Sequence, residues 1–517
     1  MTKNYNLALP FYESARRFPD RLAVWADGRE FTYRELLEEV VRVADWMCSG
    51  GPPPKRVGIL ASRSAEACIG ILAATWTGAA YFPINLSIPE AGAIGIVKRS
   101  AMDALVADAT GSKMLSASLL AAAPSKVLAM RKLVPIDAGP RIVDFDELPT
   151  AAAPSEPAPV GKDAPGYVIH TSGSTGIPKG VVFPAGALDH MWNALDINYR
   201  LTENDRAAET SATSFDISAY NMFSTWRAGA SLHIIPPSQV MAPAKFIQKH
   251  GLTLWFSVPS IAAFMARLGM LKPGAFPTLR QSFFAGEPLL TSIAAAWKVA
   301  APSSTVSNMY GPTETHMCTG EDYGPNCTVT RDCVAIGRPY FGMKCAVATP
   351  ELKWVPDGEQ GELLLAGPQL ALGYLDDEEK TRRSYVEIDG ERWYRTGDLS
   401  FKDKNGVFHY LGRIDHQVKI LGYRVELGEI ESHLREVTDC NTVAAVAWPL
   451  VDGSATGVAA FHCAPGITRE AVREEMKKRV PDYMVPQRVH HLDDLPLGST
   501  GKIDRNALVH MLDEGRL

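Results

Sequence analysis

The 517-residue chain shows no basic excess, no cysteine framework and no long uninterrupted apolar run. Lys and Arg total 52 against 58 Asp and Glu, a formal net charge of −6, and the cations are scattered rather than clustered. That leaves no electrostatic footprint for a nucleic-acid partner. Eight cysteines lie without ligand spacing. Cys327 and Cys333 are separated by five residues and have no His or second cysteine pair to complete a site. This excludes a zinc ribbon or a disulfide scaffold and fits reduced thiols in cytoplasm. Residues 1–10 lack a basic flank followed by an apolar core, so no signal peptide is expected. The longest apolar stretch, 67–84, is interrupted by Thr75, Trp76, Thr77, two glycines and Pro83, and Glu66 precedes it. A buried helix followed by a strand explains it better than a bilayer span of about 20 residues, so no membrane partner is expected. Internal repeats and low-complexity tracts are also lacking.

What is present is the composition of a soluble globular protein, 46% hydrophobic and 21% charged, in a chain long enough for several domains or subdomains. Helical and strand patterns alternate over the first 400 residues, which predicts α/β architecture. Thr32-x-x-Glu35 opens a predicted helix with a capping-box pattern, and Leu36, Val40, Val43 and Met47 recur at helical spacing. Strands are expected at 57–61, 80–84, 104–107 and 126–130, with a helix at 64–76. A Pro- and Ala-rich connection runs from 149 to 165. A second boundary is expected near Leu411-Gly412-Arg413, followed by helix, two strands, helix and strand, enough for a separate small α+β domain of roughly 100 residues. The expected division is a large N-terminal core of layered α/β subdomains, 1–411, and a small mobile α+β C-terminal domain, 412–517.

The most informative stretch is Tyr167-Val-Ile-His-Thr-Ser-Gly-Ser-Thr-Gly-Ile-Pro-Lys-Gly180. A short apolar run reads as a buried strand and leads into small and hydroxylated residues. Gly173, Gly176 and Gly180 let backbone N–H groups close on an anion; Ser172, Ser174 and Thr175 add hydroxyl donors, and Lys179 adds a positive charge. The spacing is not that of the common NTPase loop, because Gly180 stands where a magnesium-binding hydroxyl is needed. This reads as a polyphosphate loop of another kind.

Further motifs follow in order: Phe215-Asp-Ile-Ser218, Asn308-Met-Tyr-Gly-Pro-Thr-Glu-Thr315, Gly361-Glu-Leu363, Tyr394-Arg-Thr-Gly-Asp-Leu399, Leu411-Gly-Arg-Ile-Asp-His-Gln-Val-Lys419 and Gly498-Ser-Thr-Gly-Lys-Ile-Asp-Arg505. From about residue 11 to 505 the chain resembles the adenylate-forming enzymes, in the branch of nonribosomal-peptide amino-acid adenylation domains. The resemblance implies ATP-dependent activation of a carboxylate with release of pyrophosphate, then transfer to the phosphopantetheine thiol of a carrier protein. It implies ATP and Mg²⁺ as cofactors. Thr171, Ser172, Gly173, Ser174, Thr175, Gly176 and Lys179 would hold the β- and γ-phosphates, and Glu314 would hold Mg²⁺ through a hard carboxylate oxygen. Tyr310 would stack on adenine beside Gly286 and Asn308, with Gly311 and Thr313 in the same motif. Asp398 would accept both ribose hydroxyls, with Arg413 near it. Lys502 would bridge the substrate carboxylate and the α-phosphate, and Asp415 occupies the hinge position about which Lys502 would withdraw and residues 419–422 advance.

By the same resemblance Asp216 pairs with a substrate α-ammonium group, which predicts an amino acid rather than a fatty or aryl acid. Ile217, Tyr220, Phe256, Phe283, Ala285, Met309, Met317, Cys318 and Lys502 complete the specificity positions. Their side-chain wall is apolar and space-filling, so a small apolar amino acid is expected: alanine or glycine, then proline. The rival reading is an acyl- or aryl-CoA ligase of the same superfamily. Three departures stand out: Asn85 where Asp is usual, Leu421 where Arg is common, and His490-His491, which only superficially resembles a condensation-domain motif and lies on a predicted strand. No carrier or condensation motif flanks the matched region, so the chain reads as a free-standing ligase or an excised domain, with Met1 favouring the former.

Overall fold

The computed structural model describes residues 3–136, 142–150, 156–172, 178–415, 417–451, 454–497 and 503–517. The described chain divides into two compact units: Met1–Leu86, Ala93–His170 and Gly180–Gly412 in the first, Ser87–Gly92, Thr171–Lys179 and Arg413–Leu517 in the second.

The local signals operate as expected in the first unit. Thr32 Oγ1 accepts from Glu35 N at 3.2 Å while Thr32 N donates to Glu35 Oε2 at 2.8 Å, closing the capping box that starts the helix Tyr33–Cys48. Leu36, Val40, Val43 and Met47 are all buried on its inner face. The apolar stretch resolves into the helix Ala65–Trp76, every residue of it buried, and the strand Ala80–Pro83. Among the described residues no helix is long and apolar enough to cross a membrane.

Two sheets form the body of this unit. In the eight-stranded one, Pro165–Thr171 runs parallel to Ala80–Pro83, which continues in parallel through Arg56–Leu60, Ala104–Ala107 and Lys126–Leu128. These strands read as unbroken apolar runs because helices or sheet cover both faces. In the nine-stranded sheet, Ser231–Ile234, Arg206–Glu209, Leu254–Ser257, Gln281–Phe284 and Thr305–Tyr310 are successive parallel neighbours. Parallel sheets offer ligand crevices at the carboxyl ends of their strands. Glu209, Ser257, Phe284 and Tyr310 stand at those ends. A third, antiparallel sheet is built on Gln360–Ala366 and Glu391–Lys402.

In the second unit, Val443–Ala447, Val458–His462 and Arg488–His491 form a three-stranded sheet, and the helices Leu427–Thr438 and Arg469–Lys477 share an apolar core with it. His490 and His491 lie on its last strand, as the sequence predicts. A separate hairpin pairs Gln417–Ile420 with Tyr423–Glu426 across Leu421 and Gly422, both at positive φ. Mixed α/β architecture with layered sheets is thus the observed class.

Candidate active site

Asp216 is the first residue of the helix Asp216–Arg227, which starts after Phe215 without a side-chain cap. A carboxylate there meets the positive end of the helix dipole. Its Oδ1 accepts from Ile217 N at 2.9 Å, and among the described residues it makes no ion pair. The group is half-buried, and its field reaches Tyr81, Tyr167 and His316. Burial drives the His316 imidazole below its ordinary range, against the pull of Asp216, so this neighbour supplies no compensating cation.

One turn further on, Tyr220 meets the rings of two adjacent strands. Phe256 and Phe283 are register partners, and the three rings pack edge-to-face: Tyr220 to Phe256 at 5.7 Å, Tyr220 to Phe283 at 6.2 Å, Phe256 to Phe283 at 5.7 Å. Such pairs are favourable beyond the area they bury. Ile217, Ala285, Met309 and Met317 belong to the same buried cluster. Cys318 does not join them. It falls in the neighbouring cluster with Ile336 and Met343, its thiol pushed up to about 12 by burial.

The Asn308–Thr315 motif folds back on itself. A Cβ on Gly311 would fall 1.5 Å from His316 O, so only glycine permits the return. Asn308 spends both amide hydrogens on the carbonyls of Val334 and Ala335, each at 2.9 Å, which fixes the end of its strand. Gly286, at φ 92°, turns the chain out of the neighbouring strand. The Tyr310 hydroxyl donates to Asp398 Oδ2, joining the residue expected at adenine to the one expected at ribose. Asp398 is buried, and its backbone N donates to Thr396 Oγ1 at 2.9 Å. Thr313 is half-buried in the same motif.

Glu314 is fully buried, and Tyr374 donates its hydroxyl to Glu314 Oε1 at 2.7 Å. Tyr374 stands 60 residues away in sequence, on a two-residue strand without any local signal, and sequence reading missed it. Among the described residues no three His, Cys, Asp or Glu side chains gather into a metal cluster. A single carboxylate suits Mg²⁺, which keeps several waters and binds through one or two carboxylates plus substrate phosphates.

In the second unit, Ser172 Oγ donates to Arg424 O at 2.7 Å, and Lys179 Nζ lies 3.7 Å from Glu426 Oε1. Arg413 grips Asp415 with two bonds, Nε to Oδ1 at 2.9 Å and an η nitrogen to Oδ2 at 2.5 Å. Burial would raise the Asp415 carboxyl, but these bonds outweigh it and hold the group below its ordinary range. Thr171 ends its strand with a buried hydroxyl. Gly173, Ser174, Thr175, Gly176 and Lys502 lie outside the described residues.

The AMP-binding enzyme family matches residues 11–375. A linear gramicidin synthase of Brevibacillus parabrevis is 33% identical over 520 residues, covering 98% of this chain and 10% of that protein. The chain therefore spans about a tenth of that relative's length. A D-alanine–D-alanyl carrier protein ligase of Bacillus cereus is 30% identical over 514 residues, covering 95% of this chain and 96% of the ligase. The Vibrio cholerae adenylation domain AlmE, crystallised with glycyl-adenosine-5'-phosphate, superposes with a TM-score of 0.88 at 29% identity, covering 99% of each chain.

Proposed function

This chain belongs to the AMP-binding enzyme family, and we propose that it activates a small apolar α-amino acid and loads it onto a carrier protein. One observation carries the amino-acid assignment: a half-buried carboxylate at position 216, without a cation among the described residues, beside a packed apolar wall. Asp216 would pair with the substrate ammonium, and a fatty or aryl acid would leave the anion uncompensated. The three interlocked rings of Tyr220, Phe256 and Phe283 present no charge or amide to a polar side chain and favour a short one. Two relatives support small size: one carries D-alanine in its name, the other was crystallised with a glycyl adenylate.

In the first step a carboxylate oxygen of the amino acid attacks the α-phosphorus of ATP, and pyrophosphate leaves. Tyr310 and Asp398 would hold the nucleoside, Lys179 the outer phosphates, and Lys502 the developing charge at the α-phosphate. Glu314, aligned by Tyr374, would hold Mg²⁺, which supplies neutralisation of phosphate charge. In the second step a phosphopantetheine thiolate attacks the acyl carbon and AMP leaves; the thiol's own ionisation at about pH 8.5 supplies the nucleophile. Asp415 would serve as the hinge between the two arrangements, its carboxylate gripped by the Arg413 fork.

ATP–pyrophosphate exchange across the proteinogenic amino acids tests this. Glycine and alanine are expected to lead, with proline next; a clear preference for Glu, Lys or Arg overturns the substrate assignment. In a companion assay, acyl transfer is expected to a phosphopantetheinylated carrier protein, whereas turnover with free CoA alone favours the acyl-CoA ligase reading.

A further inference from the structure

A buried acid stands behind the helix that carries Asp216, and the chemistry above makes no use of it. Glu209 ends the strand Arg206–Glu209 and is 3% exposed. Its Oε1 accepts from Ser211 N at 2.8 Å and lies 3.4 Å from Asn221 Nδ2. Asn221 follows Tyr220 in the helix Asp216–Arg227 and is fully buried. Two atoms of this pair are left over: among the described residues, neither Glu209 Oε2 nor Asn221 Oδ1 has a hydrogen-bond partner. With the carboxyl ionised both are acceptors, and two buried acceptors go unmet. A proton on Oε2 converts one of them to a donor. Acid and amide can then bond in both directions, Nδ2–H to Oε1 and Oε2–H to Oδ1.

We propose that Glu209 is held as a neutral acid paired with Asn221, and that this pair positions the substrate-binding end of the helix Asp216–Arg227. The recognition half of this inference rests on the assignment of Asp216 to the substrate ammonium. Burial favours a neutral acid, against the hydrogen bonds and the cation that face Glu209. Burial is the largest influence and pushes the carboxyl up to about 8, against bonds from Ser211 and Asn221 and the nearby charge of Arg63. Cys68 on the helix Ala65–Trp76 and Tyr81 on the strand Ala80–Pro83 are themselves raised by burial and stay uncharged; Glu66 acts on the first of them and Asp216 on the second. Between the ordinary carboxyl value of 4.5 and about 8, the folded chain keeps a proton that the unfolded chain has released. Stability linked to this group therefore falls as pH rises through that window and levels off above it.

Glu209→Gln keeps the shape and places an amide donor where the proton sits, so its pair with Asn221 is independent of pH. Thermal midpoints of the parent and E209Q, followed from pH 5 to 9.5 on the full chain, are expected to diverge up to about pH 8, the parent losing ground, and to run parallel above it. In exchange assays over the same series, the parent's KM for its amino acid is expected to rise several-fold above pH 8, with kcat little changed, while that of E209Q stays flat. Infrared spectra of the parent at neutral pH should show a protonated-carboxyl band that E209Q lacks. Parallel midpoint curves, an E209Q chain less stable than the parent at pH 7, or no such band overturns the neutral acid. Parallel KM profiles overturn the positioning role. Absence of exchange with every amino acid takes down the functional reading and the recognition half together, while the midpoints and the infrared band still decide the pair.

Discussion

Asp216→Ala is expected to lower kcat/KM for the amino acid by roughly two to three and a half orders of magnitude, the equivalent of about 3–5 kcal/mol for stranding one member of a desolvated ion pair. The loss should fall on amino-acid recognition and leave ATP affinity near that of the parent, because Tyr310 and Asp398 form a separate pair on other strands. The helix itself should survive. Its core side, Tyr220, Phe223 and Trp226, is buried independently of Asp216, and loss of a dipole-aligned carboxylate costs only about 0.3–1 kcal/mol. Exchange kinetics alongside a thermal midpoint check this: a parental kcat/KM in the folded variant refutes the ammonium assignment.

Lys502→Ala carries the second large effect. A cation aimed at charge that develops only in the transition state contributes to kcat rather than to ground-state binding. Removing one such donor is expected to lower kcat for adenylate formation by at least about 10²–10³-fold. ATP binding by calorimetry should remain close to parental. Loss of ATP binding together with activity would assign Lys502 to nucleotide affinity instead.

Much of the scaffold was legible because its signals are local. The Thr32–Glu35 capping box, the period of Leu36, Val40, Val43 and Met47, and the apolar run before His170 each express themselves within a few residues. Ala104–Ala107 coincides with its expected strand, and the second unit's strands and helices fall within a few residues of their expected ends. The expected site residues came from contiguous motifs and, for Phe256 and Phe283, from the resemblance alone. Phe256 and Phe283 are 27 positions apart, and their meeting with Tyr220 depends on two strands entering the sheet in parallel register. Tyr374 behind Glu314 and Asn221 behind Glu209 have no sequence signature, because long-range burial rather than spacing selects them. Arg413, placed beside the ribose on resemblance, also makes two bonds to Asp415. Cys318 shows the same lesson from the other side: adjacent to Met317 in sequence, it packs into a different cluster.

On the proposed reading, a fixed anion at position 216 selects a zwitterionic substrate for adenylation. Measuring ATP–pyrophosphate exchange with alanine against propionate, which differs only by lacking the ammonium group, tests it most directly. Alanine should be preferred in kcat/KM by at least about 10²-fold, the least that stranding this half-buried carboxylate should cost. Equal use of the two acids would contradict it.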